Sequence, residues 1–221
     1  MYREVSARDV PRLFWFYVRN VAGRSMPKRV IVENLLLPSG PLLSVEWRGS
    51  GPAINRIPAQ RNAAPELERA RRSKCIVGGR SGIFTVDGRI IQVIISAILL
   101  KNHEDAIGYL PHLANDFVVR FPMAQVTGDM DISVISSTSR DMNVAEFDLV
   151  TEWRFEMKRK SERKNEVLFD RRVSMVIGNA VVILTFNTSD SPCPWHIVGS
   201  VARSHFIHAS SSMDCMENDE V

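Results

Sequence analysis

The sequence has little cysteine, and its three cysteines lie far apart. Cys75, Cys193 and Cys215 form neither a CxxC pair nor a cluster with histidine at the spacing of a zinc site. The sequence therefore predicts neither a disulfide framework nor a bound metal. It favours a reduced, cytoplasmic setting, because disulfides belong mainly to oxidising compartments.

Long apolar runs are also lacking, although a membrane-spanning helix needs ~20 such residues. The most aromatic run, from Leu13 to Val18, has only six residues and is followed by Arg19. A secretory signal needs a longer apolar region than this. The sequence therefore predicts no membrane span and no secretion.

Familiar catalytic motifs are missing as well. The glycine-rich segment from Gly78 to Gly82 lacks the Lys-Ser/Thr ending of a phosphate-binding loop, and we interpret it as a flexible turn between strands. His103 and His112 do not have the spacing of a zinc-protease helix. Cys193 and His196 leave open a thiol nucleophile beside an imidazole. We predict no catalytic residue, no metal ligand and no cofactor.

Acidic residues are scarce in the first part of the chain. Residues 1–80 carry 15 Lys and Arg against 6 Asp and Glu, whereas residues 81–221 carry 13 against 19. The net charge of +3 is thus the sum of +9 over residues 1–80 and −6 over residues 81–221. A basic segment of this kind either solvates helices and loops or attracts an acidic partner such as nucleic acid.

What the sequence does contain is period-two alternation between Glu146 and Thr188. Segments 147–157 and 167–177 alternate around a charged break, which is typical of strands with one face on a core. Gly178-Asn179 suits a tight turn, and residues 180–186 form a third apolar strand. We therefore predict an antiparallel meander whose apolar face the rest of the chain must cover.

Flanking patterns predict the remaining elements. A hairpin at Asp87-Gly88 and a helix from Asn102 precede the meander, and an amphipathic helix from Trp195 to Phe206 follows it. These elements predict an α+β fold with helices mainly on one face of the sheet. The predicted organisation is a basic segment over residues 1–74, an α+β domain over 75–210 and a disordered acidic tail over 211–221. Within the first segment we predict a helix at 10–21, strands at 29–37 and 43–48, a loop at 49–65 and a helix from Pro65.

From Leu149 to Phe206, the pattern of polar and apolar residues resembles that of the Mog1/PsbP/DcrB superfamily of small α+β domains. The resemblance rests on TEWRFEM, on LFDRRVSMVIG, on NAVVILTFNTS and on the final amphipathic helix, and it covers roughly residues 80–210. Residues 1–75 do not show the short strand with which members usually begin. The resemblance implies a non-enzymatic binding or adaptor domain, since bacterial relatives include adaptor-chaperones. It implies no site residue.

We therefore expect a chaperone-like binding or adaptor module that holds a protein partner through an apolar sheet face or the aromatic segment near the N-terminus. A homodimer is one form of such a partner, and nucleic acid bound by the first 80 residues is the alternative. Alternation places Arg171 beside Phe169 and Val173, so we expect it to pair with a carboxylate or to line a groove. The candidate binding residues are Phe14, Trp15, Phe16, Tyr17, Trp153 and Arg171.

Overall fold

A computed structural model describes residues 28–48, 51–56, 75–115, 130–140, 147–159, 165–189 and 191–217. These residues form an antiparallel sheet with helices packed on it. The strands are β1 (Glu46–Trp47), β2 (Ala53–Arg56), β3 (Ile76–Val86), β4 (Arg89–Leu99), β5 (Met130–Arg140), β6 (Leu149–Arg159), β7 (Asn165–Ile177) and β8 (Ala180–Thr188). The helices are α1 (Lys28–Leu35), α2 (His103–Asn115) and α3 (Trp195–Glu217), with a 3-10 helix at Gly40–Ser44. The predicted α+β class is confirmed.

The strands lie in the order β1-β3-β4-β8-β7-β6-β5, and β2 also pairs with β3. The predicted hairpin joins β3 to β4, where Asp87 and Gly88 have φ of 52° and 74°, as a type I′ turn requires. After β4 the chain forms α2 and re-enters the sheet at its far edge as β5. It then returns strand by strand through the predicted meander until β8 pairs with β4. Gly178, at φ 56°, makes the last turn.

The main core lies on one side of the sheet, which we call the front face. Helices α1 and α3 and the 3-10 helix pack there against alternate residues of β4, β7 and β8. Each fully buried aliphatic or aromatic side chain contributes about 1.5–3 kcal/mol of transfer free energy. The buried front-face residues include Val32, Leu35, Leu42, Val93, Ile95, Val173, Leu184, Phe186, Val198, Val201 and Phe206.

The opposite side, the back face, carries a smaller apolar cluster under α2. Ala106 and Tyr109 of α2 belong to one buried cluster with Ile98, Val181 and Ile183 of the central strands. Strand β4 is therefore buried on both faces at this end, which agrees with the continuous apolar run in its sequence. Two of the three described α-helices thus lie on the front face and one on the back, as the prediction of mainly one-sided packing requires.

The predicted strand over residues 29–37 is wrong, because this segment begins with helix α1. Its β-branched residues favour a strand, but Val32, Leu35 and Leu36 follow helical spacing and are all fully buried. The predicted strand over 43–48 is reduced to the two residues of β1 after the 3-10 helix. Since α1 packs in the main core and β1 and β2 pair with β3, the described part of residues 28–56 is integral to the domain.

The glycine-rich segment is not a turn but the middle of β3. A Cβ on Gly78 would lie 2.4 Å from Val32 Cγ1, and one on Gly82 would lie 2.4 Å from Val45 Cγ1. These glycines let α1 and the segment before β1 approach the strand backbone. Close packing therefore explains a pattern that looks like a flexible turn in the sequence.

Three further boundaries differ from the prediction. The predicted loop over residues 49–65 contains strand β2. The sequence also predicts a turn over residues 136–143, but β5 continues to Arg140. The expected disordered tail begins instead as helix, because α3 continues to Glu217 and buries Met213 in the main core. The last four residues lie outside the described part of the chain.

Candidate functional site

The two candidate binding residues within the described ranges, Trp153 and Arg171, do not share one surface. Phe14, Trp15, Phe16 and Tyr17 lie outside the described residues, so their role stays a prediction. Trp153 and Arg171 are on neighbouring strands but on opposite faces of the sheet. Their cross-strand partners show this.

Trp153 lies opposite Asp170, whereas Arg171 lies opposite Glu152. A one-residue offset between paired strands reverses the face on which a side chain lies. Trp153 and Arg171 therefore cannot form one binding surface on the sheet.

Arg171 is held by three different groups on the front face. Its Nε lies 2.9 Å from Glu152 Oε1, and its guanidinium lies 4.4 Å from the centre of the Trp195 ring. Its Nη1 also donates a hydrogen bond to the carbonyl of Cys193. Of the two predicted alternatives, the structure places a carboxylate partner beside Arg171. This arginine ties β7 to the segment that enters α3.

Cys193 sits beneath this arginine and is fully buried. Burial raises the pKa of its thiol to about 11, against smaller opposing effects of Arg171 and Arg89. At neutral pH the group is therefore a protonated thiol, whereas nucleophilic cysteines are thiolates. His196, the neighbouring imidazole in the sequence, is exposed. The geometry gives Cys193 the role of a packed apolar side chain.

His103 has a structural contact at the start of α2. Its Nδ1 lies 2.7 Å from the carbonyl oxygen of Gly178, in the turn between β7 and β8. The Asn102 side chain accepts a hydrogen bond from the Asp105 amide and so caps the helix. Across the described ranges, no group of three or more His, Cys, Asp or Glu side chains could hold a metal ion.

The most unusual feature is a group of buried polar side chains on the back face, beyond the end of the α2 cluster. We call it the polar tract. Its members are between 0% and 6% exposed, as buried as the apolar residues of the main core. They come from β6, β7 and β8 and consist of Thr151, Asp170, Arg172, Ser174 and Thr185.

Strand register explains why these residues meet. Arg172 lies opposite Thr151 of β6 on one side and opposite Thr185 of β8 on the other. In the next row, Asp170 lies between Trp153 and Asn187. Directly opposed side chains have Cβ atoms about 4.5–5.5 Å apart, so each row is a line of neighbours.

Several atoms of the polar tract are unsatisfied. Arg172 Nη2 lies 3.7 Å from Asp170 Oδ2, which is an ion pair but is longer than a hydrogen bond. Within the described structure, Thr151 Oγ1, Ser174 Oγ and Arg172 Nε have no hydrogen-bond partner. A buried polar group without a partner costs about 1–3 kcal/mol, and a buried ion pair is often less stable than apolar residues of the same volume. The polar tract is therefore not explained by stability.

Sequence reasoning missed the polar tract, although its signal is present. Asp170, Arg172 and Ser174 recur at every second position of β7, and Thr185 and Asn187 do so in β8. Such alternation is normally interpreted as a water-facing side. Only the structure reveals that this polar side is buried.

A second buried polar group lies on the front face, between α3 and the chain that follows α1. His205 is fully buried, and its Nδ1 lies 3.4 Å from Ser39 Oγ. Burial lowers the pKa of His205 to about 4, and the neighbouring His208 acts in the same direction. A hydrogen bond with the backbone of Leu35 opposes these effects only in part. His205 is therefore neutral at physiological pH.

Each of the three segments that meet near this junction carries an exposed apolar side chain. Leu43 of the 3-10 helix is 73% exposed, Ile207 of α3 is 67% exposed and Leu37, just after α1, is 40% exposed. The three segments meet here, since a Cβ on Gly40 would lie 2.0 Å from Ser204 Oγ and Ser39 Oγ donates to the Ser204 carbonyl. We call Leu37, Leu43 and Ile207 the junction patch.

No family model, no curated protein and no solved structure matches this chain. None of the helices in the described ranges is long and apolar enough to cross a membrane.

Proposed function

We propose that this chain is a non-catalytic, cytoplasmic binding module that holds a protein partner through the junction patch. The supporting observation is that Leu43 and Ile207 are large apolar side chains left mostly exposed where three packed segments meet. Apolar side chains grouped on a surface are typical of protein interfaces, whereas scattered single ones are ordinary. The resemblance to adaptor-type α+β domains supports the same proposal.

The junction patch is carried by elements that are packed in the main core. Binding there should therefore lose little conformational entropy. Leu43 projects from a 3-10 helix whose Leu42 is buried in the main core. Ile207 follows Phe206, which is also in that core and lies edge-on to Phe147 at 5.7 Å between ring centres. Anchors presented by rigid elements lose little conformational freedom on binding.

The expected apolar sheet face is a less favourable site. In the described part of the chain, α1, α3 and the 3-10 helix cover the front face, and α2 covers the apolar end of the back face. The aromatic segment from Phe14 to Tyr17 remains a second proposed contact, since it lies outside the described residues.

The test compares a patch variant with a matched control. Leu43→Asp with Ile207→Asp introduces two charges into the junction patch, whereas Ile90→Asp with Ile107→Asp introduces the same charges at exposed isoleucines elsewhere. A partner is isolated from the native host with the full chain, purified, and titrated against each variant by calorimetry. We expect the patch variant to weaken binding at least about 30-fold, as for interface hot spots, and the control to bind normally. Equal affinities for the two variants would refute the junction patch as the binding surface.

The same samples also test two other kinds of partner, a second copy of the chain and nucleic acid. A homodimer predicts a concentration-dependent mass in light scattering that falls to the monomer in the patch variant. Nucleic acid, the alternative supported by the net charge of +9 over residues 1–80, predicts binding to random duplex that weakens steeply with salt. Salt-sensitive nucleic-acid binding in place of a protein partner would favour that alternative.

A further inference from the structure

The polar tract on the back face collects hydrogen-bond donors that have no acceptor. Thr151 Oγ1, Ser174 Oγ and Arg172 Nε are buried and lack a partner among the described residues. Thr151 lies directly opposite Arg172, and Ser174 lies two residues further along the same face of β7. The three donors therefore border a single small area of the sheet.

A guanidinium flanked by hydroxyl groups is an arrangement that recognises oxyanions. Burial strengthens such contacts, because bulk water does not compete for the donors. The Arg172–Asp170 distance of 3.7 Å leaves the guanidinium without a bidentate carboxylate partner in this pair. We propose that the polar tract is a binding site for an organic monocarboxylate, with Arg172, Thr151 and Ser174 as its donors.

The nearby charge selects the class of anion. Arg172 supplies a positive charge, and Asp170 lies 3.7 Å from it on the same strand face. Each negative charge on a ligand adds to the cost of burying charge beside this pair. Phosphate carries between about one and two negative charges at neutral pH, whereas a carboxylate carries one, so the site favours the monocarboxylate.

The surroundings indicate what else the ligand carries. Leu149 and Ile183 lie in the row beyond Arg172, next to Ser174, and belong to the apolar cluster under α2. On the other side, Trp153 and Asn187 are only half-buried, so the polar tract approaches solvent there. An anion with an aliphatic or aromatic body matches this sequence of donors and apolar neighbours.

The experiment titrates the isotopically labelled full chain with sodium octanoate and follows the amide resonances of residues 151, 172 and 174. Neutral 1-octanol is the matched probe for apolar binding alone, and inorganic phosphate is the probe for a general oxyanion site. We expect saturable binding of octanoate, with weaker binding of both other probes. Thr151→Val and Ser174→Ala leave the arginine in place and should each weaken octanoate binding about tenfold, the effect of one hydrogen bond to a charged group.

Arg172→Gln should remove octanoate binding, and Arg154→Gln is its control because it removes the same charge from an exposed position on the front face. The two hydroxyl variants keep the proposal testable if Arg172→Gln does not fold. Equal binding of octanoate and octanol, tighter binding of phosphate, or unchanged affinity in both hydroxyl variants would each overturn the proposal. So would the absence of saturable octanoate binding up to ~10 mM, beyond the range of a specific small-ligand site.

Discussion

The two faces of strands β7 and β8 are built from the same stretch of sequence but contain opposite kinds of buried residue. On the front face, Val173, Leu184 and Phe186 pack under α3 in a continuous apolar core. On the back face, Arg172 and Thr185 are almost equally buried but form the polar tract. Burial alone therefore does not show which residues stabilise this domain. The front face supplies the hydrophobic free energy, whereas the back face retains polar groups that oppose it.

The largest loss of stability should come from a substitution on the front face. Phe186→Ala removes a fully buried ring and should lower the free energy of unfolding by about 3–5 kcal/mol. Asn187→Ala, at the next position and on the back face, should cost less than about 1.5 kcal/mol, since the Asn187 side chain donates a long 3.4 Å hydrogen bond to Gln92. Urea denaturation at pH 7 measures both. Similar losses in the two variants would mean that the faces do not differ as proposed.

The fold was predictable because its signals are local. The Asp87-Gly88 turn, the alternation in β6 and β7 and the apolar stripe of α3 all correspond to elements that the structure confirms. The face assignments were less predictable. Leu149 and Trp153 of β6 and Val173 of β7 all look like core-face residues in the sequence. Register places Val173 on the front face and the other two on the back, and register depends on long-range pairing that alternation does not encode.

A second test addresses the charged part of the back face. Arg172→Met removes the ion pair that Arg172 makes with the buried Asp170 and should lower the free energy of unfolding by about 3 kcal/mol. When Asp170→Leu is added, the double variant should lose about 1–2 kcal/mol less than the two single variants combined. Chemical denaturation of the four proteins in this cycle measures the coupling. Additive losses would show that the 3.7 Å pair has no energetic coupling.

A titratable residue provides a further comparison on the front face. The pKa of His205 is lowered to about 4 in the folded protein, from an ordinary value near 6.5. Between these values the unfolded chain binds more protons than the folded one, so stability is complete above pH 6.5 and falls as the pH decreases through this range. From pH 7.5 to pH 5 the His205 contribution should fall by about 2 kcal/mol.

Urea titrations at these two pH values test this dependence. His205→Gln should reduce the loss on acidification, whereas His196→Gln, at an exposed position of the same helix, should leave it unchanged. An identical pH dependence in the wild type and His205→Gln would assign the acid sensitivity to other groups.

The candidate site was less predictable than the fold. The sequence points to Arg171 because an arginine on an apolar face needs a partner, and the structure supplies Glu152, Trp195 and the Cys193 carbonyl. Alternation places Arg172, its neighbour in the sequence, on the opposite strand face, which the sequence pattern assigns to solvent. Whether a polar strand face is exposed or buried depends on what packs over it, and that information is distributed over distant segments of the chain.

The smallest loss of stability concerns the ion pair of Arg171, because this pair is partly exposed whereas that of Arg172 is enclosed. Glu152 is about one-third exposed, so its ion pair with Arg171 is partly screened by solvent. Glu152→Gln should therefore cost less than about 1 kcal/mol and should cost still less in high salt. Arg171→Lys, which weakens the stacking on Trp195, should cost about 1 kcal/mol with little dependence on salt. If Glu152→Gln were as costly as Arg172→Met, solvent exposure would not explain the difference between the two ion pairs.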